Sequence, residues 1–222
     1  MLNSLNDKQK SFIRHGSWDF YDTTEVCFPR LGQKLFTSDG YWESMSYFGN
    51  SKDPEEQFYK YAAGYKEAAD ELVSLATKKG IPSRYVYPII FLYRQFLELA
   101  LKDIYLAYSD DSDELKSKEI ESQSHNLMKI WNKIKPLIND ENPANIKAVG
   151  SYLSQFTKAD AGSFKYRYPI DKKLNLVHEK EIRINLLTLA ERIDELATYL
   201  DCVSTALYEL RRAELEMIHY GF

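Results

Sequence analysis

The last third of the chain carries an unbroken heptad pattern of aliphatic side chains. Nine of them recur at alternating intervals of four and three residues. They are Ile182, Leu186, Leu189, Ile193, Leu196, Leu200, Val203, Leu207 and Leu210. Positions spaced in this way form one stripe along a helix, and the stripe must pack either within the chain or against a second chain. Burying one such side chain contributes about 1.5–3 kcal/mol, so the pattern predicts a strongly stabilised helical bundle.

A second long helix is predicted over residues 53–80. Asp53 is placed as its N-cap, Pro54 stands in the first turn, and Gly80 follows two lysines at the end. The spacing of the apolar residues predicts an inward-facing stripe on this helix. That stripe consists of Phe58, Tyr61, Tyr65, Ala68, Leu72 and Leu75.

The middle of the chain predicts three further helices. Residues 88–108 are apolar nearly all round, which is typical of the most buried helix of a bundle. A third helix is predicted to begin with Ser124 as N-cap, and a short fourth helix follows Asn142 and Pro143. The predicted inward residues are Leu127, Trp131, Ile134, Leu137, Ile146, Val149, Leu153 and Phe156. The acidic, serine-rich residues 109–123 have no large apolar face and are interpreted as an exposed loop.

Two segments depart from the helical pattern. Residues 1–54 hold scattered aromatic side chains and one turn signal, "TSDGYW", and predict an irregular extension with a possible small hairpin. The stretch "GSFKYRYPIDKK" alternates rings with basic residues, which favours a β-hairpin at 163–178 that covers one end of the bundle. The fold class is therefore mainly α: an antiparallel bundle of four to five helices in residues 55–222, with a hairpin insertion.

Composition excludes several classes of protein. The net charge of −4 argues against a generally basic surface for nucleic acid. Two cysteines are too few for a disulfide framework or a cysteine-rich metal site, which favours the cytoplasm. No segment resembles a signal peptide or a membrane span. Because no phosphate-binding glycine loop or metal-binding motif is present, no cofactor and no metal are predicted.

Three charged residues lie on one stripe of the central helix. Arg94, Glu98 and Lys102 are spaced at i, i+4 and i+8 in an otherwise apolar segment. In one interpretation Glu98 bridges the two cations and the ladder is structural. In the other, the stripe faces a cleft where the planar guanidinium of Arg94 binds a phosphate or carboxylate.

A histidine and the basic face of the hairpin are further candidates. His125 directly follows the predicted N-cap, where the helix dipole favours the neutral imidazole that accepts a proton. In the other interpretation, His125 is an ordinary surface histidine. Lys165 and Arg167 either point into a cleft beside the central helix or belong to a simple lid.

Three motifs together resemble a known group of proteins. "YRQFLELALK" (93–102), "SHNLMKIW" (124–131) and "FKYRYPID" (164–171) are similar to segments of bacterial proteins with HEPN-like helical bundles. The resemblance covers roughly residues 85–200. It implies a four-helix bundle that forms a homodimer, here through the 182–210 helix. Many such proteins are metal-independent RNases of toxin–antitoxin or antiviral defence systems, whereas others bind nucleotides or partner proteins without catalysis.

The resemblance also implies candidate catalytic residues. The RNase motif of that superfamily, an arginine followed after four to six residues by a histidine, is matched by Arg212 and His219. A second set, Arg94, His125 and Arg167, is favoured over this pair, because two of its members lie on predicted ordered elements and not on a terminal tail. In either set a base takes the 2′-hydroxyl proton of RNA and a cation stabilises the charged phosphorane. The predicted ligand contacts beside them are Glu98, Lys102, Lys165 and Asp171. The alternative hypothesis is a non-catalytic module that holds a partner protein or a nucleotide.

Overall fold

The chain divides into two units, residues 1–50 and residues 51–222. The computed structural model describes residues 29, 31–38, 41–49, 54–123, 125–160 and 163–220. In the first unit a single 3-10 turn, Trp42–Ser44, stands among the described residues. The turn signal predicted to form a small hairpin includes Asp39 and Gly40, which lie outside the described residues, as does the predicted N-cap Asp53.

Six α-helices form the described part of the second unit. They are α1 (Pro54–Lys79), α2 (Pro82–Tyr108), α3 (Asp113–Gln123), α4 (Leu127–Ile134), α5 (Pro143–Ala159) and α6 (Leu186–Tyr220). A 3-10 turn, Lys135–Leu137, extends α4. The predicted helical bundle is thereby confirmed. Among the described helices, none combines the length and the apolar character that crossing a membrane requires.

Helix α2 is the centre of the bundle, as the sequence predicts. It packs against α1, α4 and α6. Its fully or nearly buried residues include the apolar Ile89, Leu97 and Leu101 and also the charged pair Arg94 and Glu98. The helix begins earlier than predicted, at Pro82, because proline is well suited to the first turn, where its missing N–H has no intrahelical partner.

The buried face of α1 is rotated by about one residue from the predicted stripe. Ala62, Ala69, Val73 and Ala76 are buried, whereas Tyr61 and Ala68 are exposed. Small side chains at the contact let α1 approach α2 closely, so the larger rings remain at the margin of the interface. The predicted stop is confirmed, because Gly80 follows the last helical residue with φ of +65°, in the left-handed region that glycine adopts without steric cost.

The heptad stripe of α6 is buried inside the chain over its first half. Leu186, Ile193, Leu196, Leu200 and Val203 belong to the same core as α2. The ends of the predicted stripe differ: Ile182 precedes the helix with 61% of its surface exposed, and Leu210 is 54% exposed. A homodimer through this helix would therefore use the exposed distal part of α6. The homodimer stays a prediction.

The segment interpreted as a loop between the second and third predicted helices is in fact helix α3. Ser112 caps its start, since the Ser112 carbonyl accepts from the Lys116 N–H at 2.8 Å. Two long side chains then tether this polar helix: Lys116 Nζ donates to the Leu106 carbonyl at 2.8 Å, and Lys133 Nζ pairs with Glu119 Oε1 at 3.1 Å. The loop prediction is wrong because these tethers replace the missing apolar face.

The predicted β-hairpin at 163–178 is not formed. Among the described residues of this segment, one isolated antiparallel bridge joins Ile170 to Leu176. The alternating pattern fails because Asp160 Oδ1 accepts from the N–H groups of both Phe164 and Lys165, at 2.8 and 3.0 Å. These bonds, and the bond from the Arg167 N–H to the Phe164 carbonyl at 3.0 Å, turn the chain where a strand would extend it.

The rotated face of α1 yields a direct test. We expect Ala69→Leu to lower the free energy of unfolding by about 1–3 kcal/mol, because a larger side chain overpacks the α1–α2 contact. Ala68→Leu, on the adjacent exposed position, is the matched control and is expected to change it by less than about 0.5 kcal/mol. Urea denaturation followed by circular dichroism measures both. A larger loss for Ala68→Leu than for Ala69→Leu would contradict the placement of this helix.

Candidate functional site

The carboxylate of Glu98 contacts three other predicted site residues. Arg94 Nη1 lies 3.3 Å from Glu98 Oε2, and Lys102 Nζ lies 2.7 Å from Oε1. His125 Nδ1 lies 3.0 Å from both carboxylate oxygens. Arg94 and Lys102 come from the turns of α2 before and after Glu98, whereas His125 precedes α4. The cluster therefore ties the central helix to its neighbour.

Most of this cluster is closed to solvent. The side chain of Arg94 is 1% exposed and that of Glu98 5%, whereas His125 keeps 45% of its side-chain surface. The second terminal nitrogen of Arg94 donates to the carbonyl oxygen of His125. Both terminal nitrogens of the guanidinium are thus engaged by the chain. The geometry supports the ladder interpretation of this stripe over an anion-binding fork.

Two polar atoms beside the cluster have no hydrogen-bond partner in the described part of the chain. They are Arg94 Nε and Asp160 Oδ2, both buried. Burial lowers the pKa of Arg94, and the negative charges of Glu98 and Asp160 oppose that effect. An arginine nevertheless stays protonated in proteins. The charge of Asp160 therefore acts on Arg94 and helps to compensate it inside the core.

The ionised state of Glu98 follows from its partners. Burial alone would raise the pKa of this carboxyl, but the hydrogen bond and charge of Lys102 act in the opposite direction. The contact with His125 adds to them, and the net result is a lowered pKa for Glu98. The carboxylate is consequently negative at neutral pH, as a buried partner of two cations must be.

The position of His125 relative to the helix differs from the prediction. The N-cap of α4 is Asn126, whose side-chain oxygen accepts from the Lys129 N–H at 3.1 Å. His125 thus lies before the cap and not in the first turn, and the predicted cap Ser124 lies outside the described residues. Asn126 takes the role because its side chain reaches the free N–H groups of a helix that starts at Leu127.

Arg167, the third member of the set with Arg94 and His125, makes its contacts with residues outside this cluster. Its Nε donates to the Ser163 carbonyl at 2.5 Å, and its guanidinium stacks over Phe91 at 5.9 Å from the ring centroid. No hydrogen bond or ion pair joins Arg167 to Arg94 or His125 in the described residues. A direct hydrogen bond therefore joins two members of that set, Arg94 and His125, whereas the contacts of Arg167 include Ser163 and Phe91.

Of the remaining candidates, Lys165, Arg212 and His219 are exposed and Asp171 is half-buried. Lys165 contributes its backbone to local bonds, and the Asp171 carboxylate accepts from the N–H groups of Lys173 and Asn175 within its own turn. Arg212 pairs along α6 with Glu209 at 3.0 Å and with Glu216 at 3.6 Å. His219, two turns further along, presents the same face of that helix.

A cluster of three rings that sequence reasoning missed lines the clefts at the end of the bundle. Tyr87 of α2 approaches Tyr166 and His178, with centroid distances of 6.5 and 5.9 Å, and the latter two rings are 5.3 Å apart. This ring cluster lines a cleft of about 600 Å³ together with Lys180 and Arg183. It also lines a second cleft of about 350 Å³ with the predicted residues Lys165 and Arg167.

The smaller of the two clefts is lined by Lys165 and Arg167 with no acidic residue among its described lining, whereas in the larger cleft Lys180 and Arg183 lie beside Glu179 and Glu181. Residues 163–185 hold six lysines and arginines against three acidic residues, in a chain of net charge −4. Burial raises the pKa of the Tyr166 hydroxyl, and the charge of Asp160 adds to that effect, so the phenol stays neutral. The excess of basic residues in this segment can be read from the sequence. The contact of Tyr87 with the segment cannot, because Tyr87 belongs to helix α2.

Comparisons with known proteins add no assignment. The chain matches no family model, no curated protein and no solved structure. Within the described ranges, no group of three or more histidine, cysteine, aspartate or glutamate side chains is placed to hold a metal ion. Interpretation of the site therefore depends on its own geometry.

The buried cluster generates a stability prediction. We expect Glu98→Gln to lower the free energy of unfolding by about 3–5 kcal/mol, because it removes the negative partner of a buried arginine. Glu181→Gln, which breaks the exposed pair with Arg183 at 2.9 Å, is the matched control with an expected change below about 0.5 kcal/mol. Chemical denaturation at neutral pH measures both. Equal losses in the two variants would contradict a structural role for Glu98.

The lowered pKa of Glu98 also predicts a pH dependence. A glutamate in the unfolded chain titrates near about 4.3, so the unfolded state binds the proton more readily than the folded state does. The stability that Glu98 contributes is therefore present above that pH and is lost as the pH falls through the folded-state pKa. The difference between wild type and Glu98→Gln should be largest near neutral pH and shrink below about pH 4. A difference that grows in acid would contradict this assignment.

Proposed function

We propose that the chain is a non-catalytic binding module that holds single-stranded RNA, or the nucleotides of such a strand, at the ring cluster of Tyr87, Tyr166 and His178. The observation that carries this proposal is that the rings line two clefts whose other lining residues include basic side chains. Aromatic faces stack on bases of any identity, and adjacent lysines and arginines bind the phosphates. A chain that is acidic overall then binds nucleic acid through one local surface.

The same geometry supports binding without cleavage. A catalytic role for Arg94 requires a guanidinium that reaches a phosphate, and this one is buried with both terminal nitrogens engaged. Arg167 lines the smaller cleft of the ring cluster. Arg167 and Lys165 are therefore assigned to phosphate binding, and His125 to the structural cluster.

The proposal places this activity in the context that the sequence resemblance implies. We propose a HEPN-like protein of a bacterial defence or toxin–antitoxin system that acts in the cytoplasm as a homodimer. The exposed apolar side chains at the distal end of α6 support the dimer, since Leu210, Leu215 and Ile218 are each more than half exposed. In this role the module holds an RNA or a partner protein without altering it.

A second candidate function is metal-independent RNA cleavage at the end of α6. The observation that favours it is that Arg212 and His219 are both exposed and lie two turns apart on one helix face. The two residues would face their counterparts of a second copy. In that arrangement His219 acts as base or acid and Arg212 stabilises the phosphorane.

A binding experiment tests the main proposal. Fluorescence anisotropy of a labelled, short oligouridylate measures its Kd for the wild type and for Tyr87→Ala. We expect Tyr87→Ala to weaken binding roughly fivefold or more, since loss of one stacked ring costs about 1–3 kcal/mol per base. Tyr208→Ala on α6 is the matched control, because both tyrosines are about half exposed and Tyr208 lies outside the clefts. Equal affinity of the two variants would contradict the assignment.

An RNA-integrity assay separates the two candidate functions. After incubation in EDTA, gel electrophoresis of the RNA reports cleavage by the wild type, His125→Ala and His219→Ala. Intact RNA with ring-dependent binding supports the module. Cleavage that is lost in His219→Ala supports the second candidate instead.

A further inference from the structure

A third cleft, of about 430 Å³, lies between α5 and the first half of α6. Its floor is formed by core residues of α2 and α6, Ile90, Ile193 and Leu196. Phe156, Ile184 and Leu189 form apolar walls around that floor. The cleft thus gives access from the surface to the hydrophobic core, and the space between helices of a bundle is a common location for small-molecule sites.

The cleft exists because α5 and α6 pack on different partners. Helix α5 packs against α4, whereas α6 packs against α2 and α1. Direct bonds between α5 and α6 are few; the Tyr152 hydroxyl donates to Glu195 Oε2 at 3.3 Å. Small side chains at Ala159 and Thr188 line the space between the two helices. The opening is therefore built into the backbone arrangement and does not depend on one side-chain rotamer.

The charged residues of this cleft are all positive. Arg183 and Arg192 line it, and no acidic side chain is among its described lining residues. Their present partners, Glu181 and Glu195, form exposed pairs that contribute little to stability and exchange readily for another anion. The N-terminus of α6, where Asn185 Oδ1 accepts from the N–H groups of Leu187 and Thr188, adds positive potential at the same edge.

We propose that this cleft binds an amphiphilic carboxylate, a medium-chain fatty acid in its chemistry, with the acyl chain on the apolar floor and the carboxylate at Arg183 and Arg192. The volume lies in the range of small-molecule sites. It is too small for a partner helix, whose diameter with side chains is about 10–12 Å. The cleft adjoins the proposed nucleotide surface, with which it shares Tyr166, Arg183 and Ile184, whereas Arg192 and the apolar floor belong to this cleft alone.

Isothermal titration calorimetry with dodecanoate, below the concentration at which it forms micelles, tests the proposal. We expect saturable binding of one molecule per chain. The Kd should rise roughly fourfold for each methylene removed, in the series dodecanoate, decanoate and octanoate. Acetate, which has the head group alone, should not bind. Dodecyltrimethylammonium, with the same tail and the opposite charge, should bind at least roughly tenfold more weakly than dodecanoate.

Substitutions then locate the site. Thr188→Phe fills the cleft and is expected to weaken dodecanoate binding roughly tenfold or more, whereas Thr198→Phe, exposed on the same helix and outside the cleft, should not. Ala159→Phe fills the cleft from α5 and replaces Thr188→Phe if that variant does not fold by circular dichroism. Arg192→Gln should weaken the carboxylate by roughly three- to tenfold, with Arg212→Gln as its control.

Three results would overturn the proposal. They are absence of dodecanoate binding by the folded wild type, equal affinity of the filled and control variants, and equal affinity for the anionic and cationic amphiphiles. If the wild type binds dodecanoate but does not bind oligouridylate, the proposed function is rejected and the fatty-acid site is retained. The two proposals are therefore tested separately.

Discussion

The buried carboxylate of Glu98 is the constraint on which the arrangement of the central helices depends. Transferring it from water into the core costs several kcal/mol, and that cost is offset only if cations surround it in good geometry. Arg94 and Lys102 stand one turn before and after it on α2, and His125 approaches from the start of α4. Moving α4 along or away from α2 would separate these charges, so the cluster fixes the relative position of two helices that apolar contacts alone would leave free to slide.

This role limits the chemistry that the cluster can perform. Arg94 also donates to the carbonyl of His125, so its guanidinium is bound by the chain at two points. A ligand phosphate would have to displace a carboxylate 3.3 Å away and enter a site in which the arginine is 1% exposed. Basic residues that a phosphate can reach lie in the segment 163–185, where Arg167 stacks on Phe91 and Arg183 is exposed.

Sequence reasoning identified the features whose cause is local. The burial of α2, the buried first half of the α6 stripe, the start of α5 at Asn142 and Pro143 and the stop at Gly80 each depend on residues within a few positions of one another. It failed where distant groups decide. Helix α3 needs the Leu106 carbonyl and Lys133, and the predicted hairpin is prevented by the carboxylate of Asp160. For the candidate site, Arg94, Glu98 and Lys102 were found from spacing, whereas the contact of Tyr87 with His178 is purely tertiary.

The segment between α5 and α6 combines irregular backbone with all three clefts. It is held by few contacts: Gln95 donates to Ser163 Oγ at 3.1 Å, Asp160 binds two backbone N–H groups, and Tyr166 packs against Tyr87. Binding residues of proteins commonly lie on loops that a rigid scaffold positions, and this connection between two helices has that arrangement. Because Tyr166 lines each of the clefts, its position is the one place where the core, the basic surface and the apolar cleft meet. A ligand in any of these three clefts would lie against Tyr166, which packs on Tyr87 of the central helix.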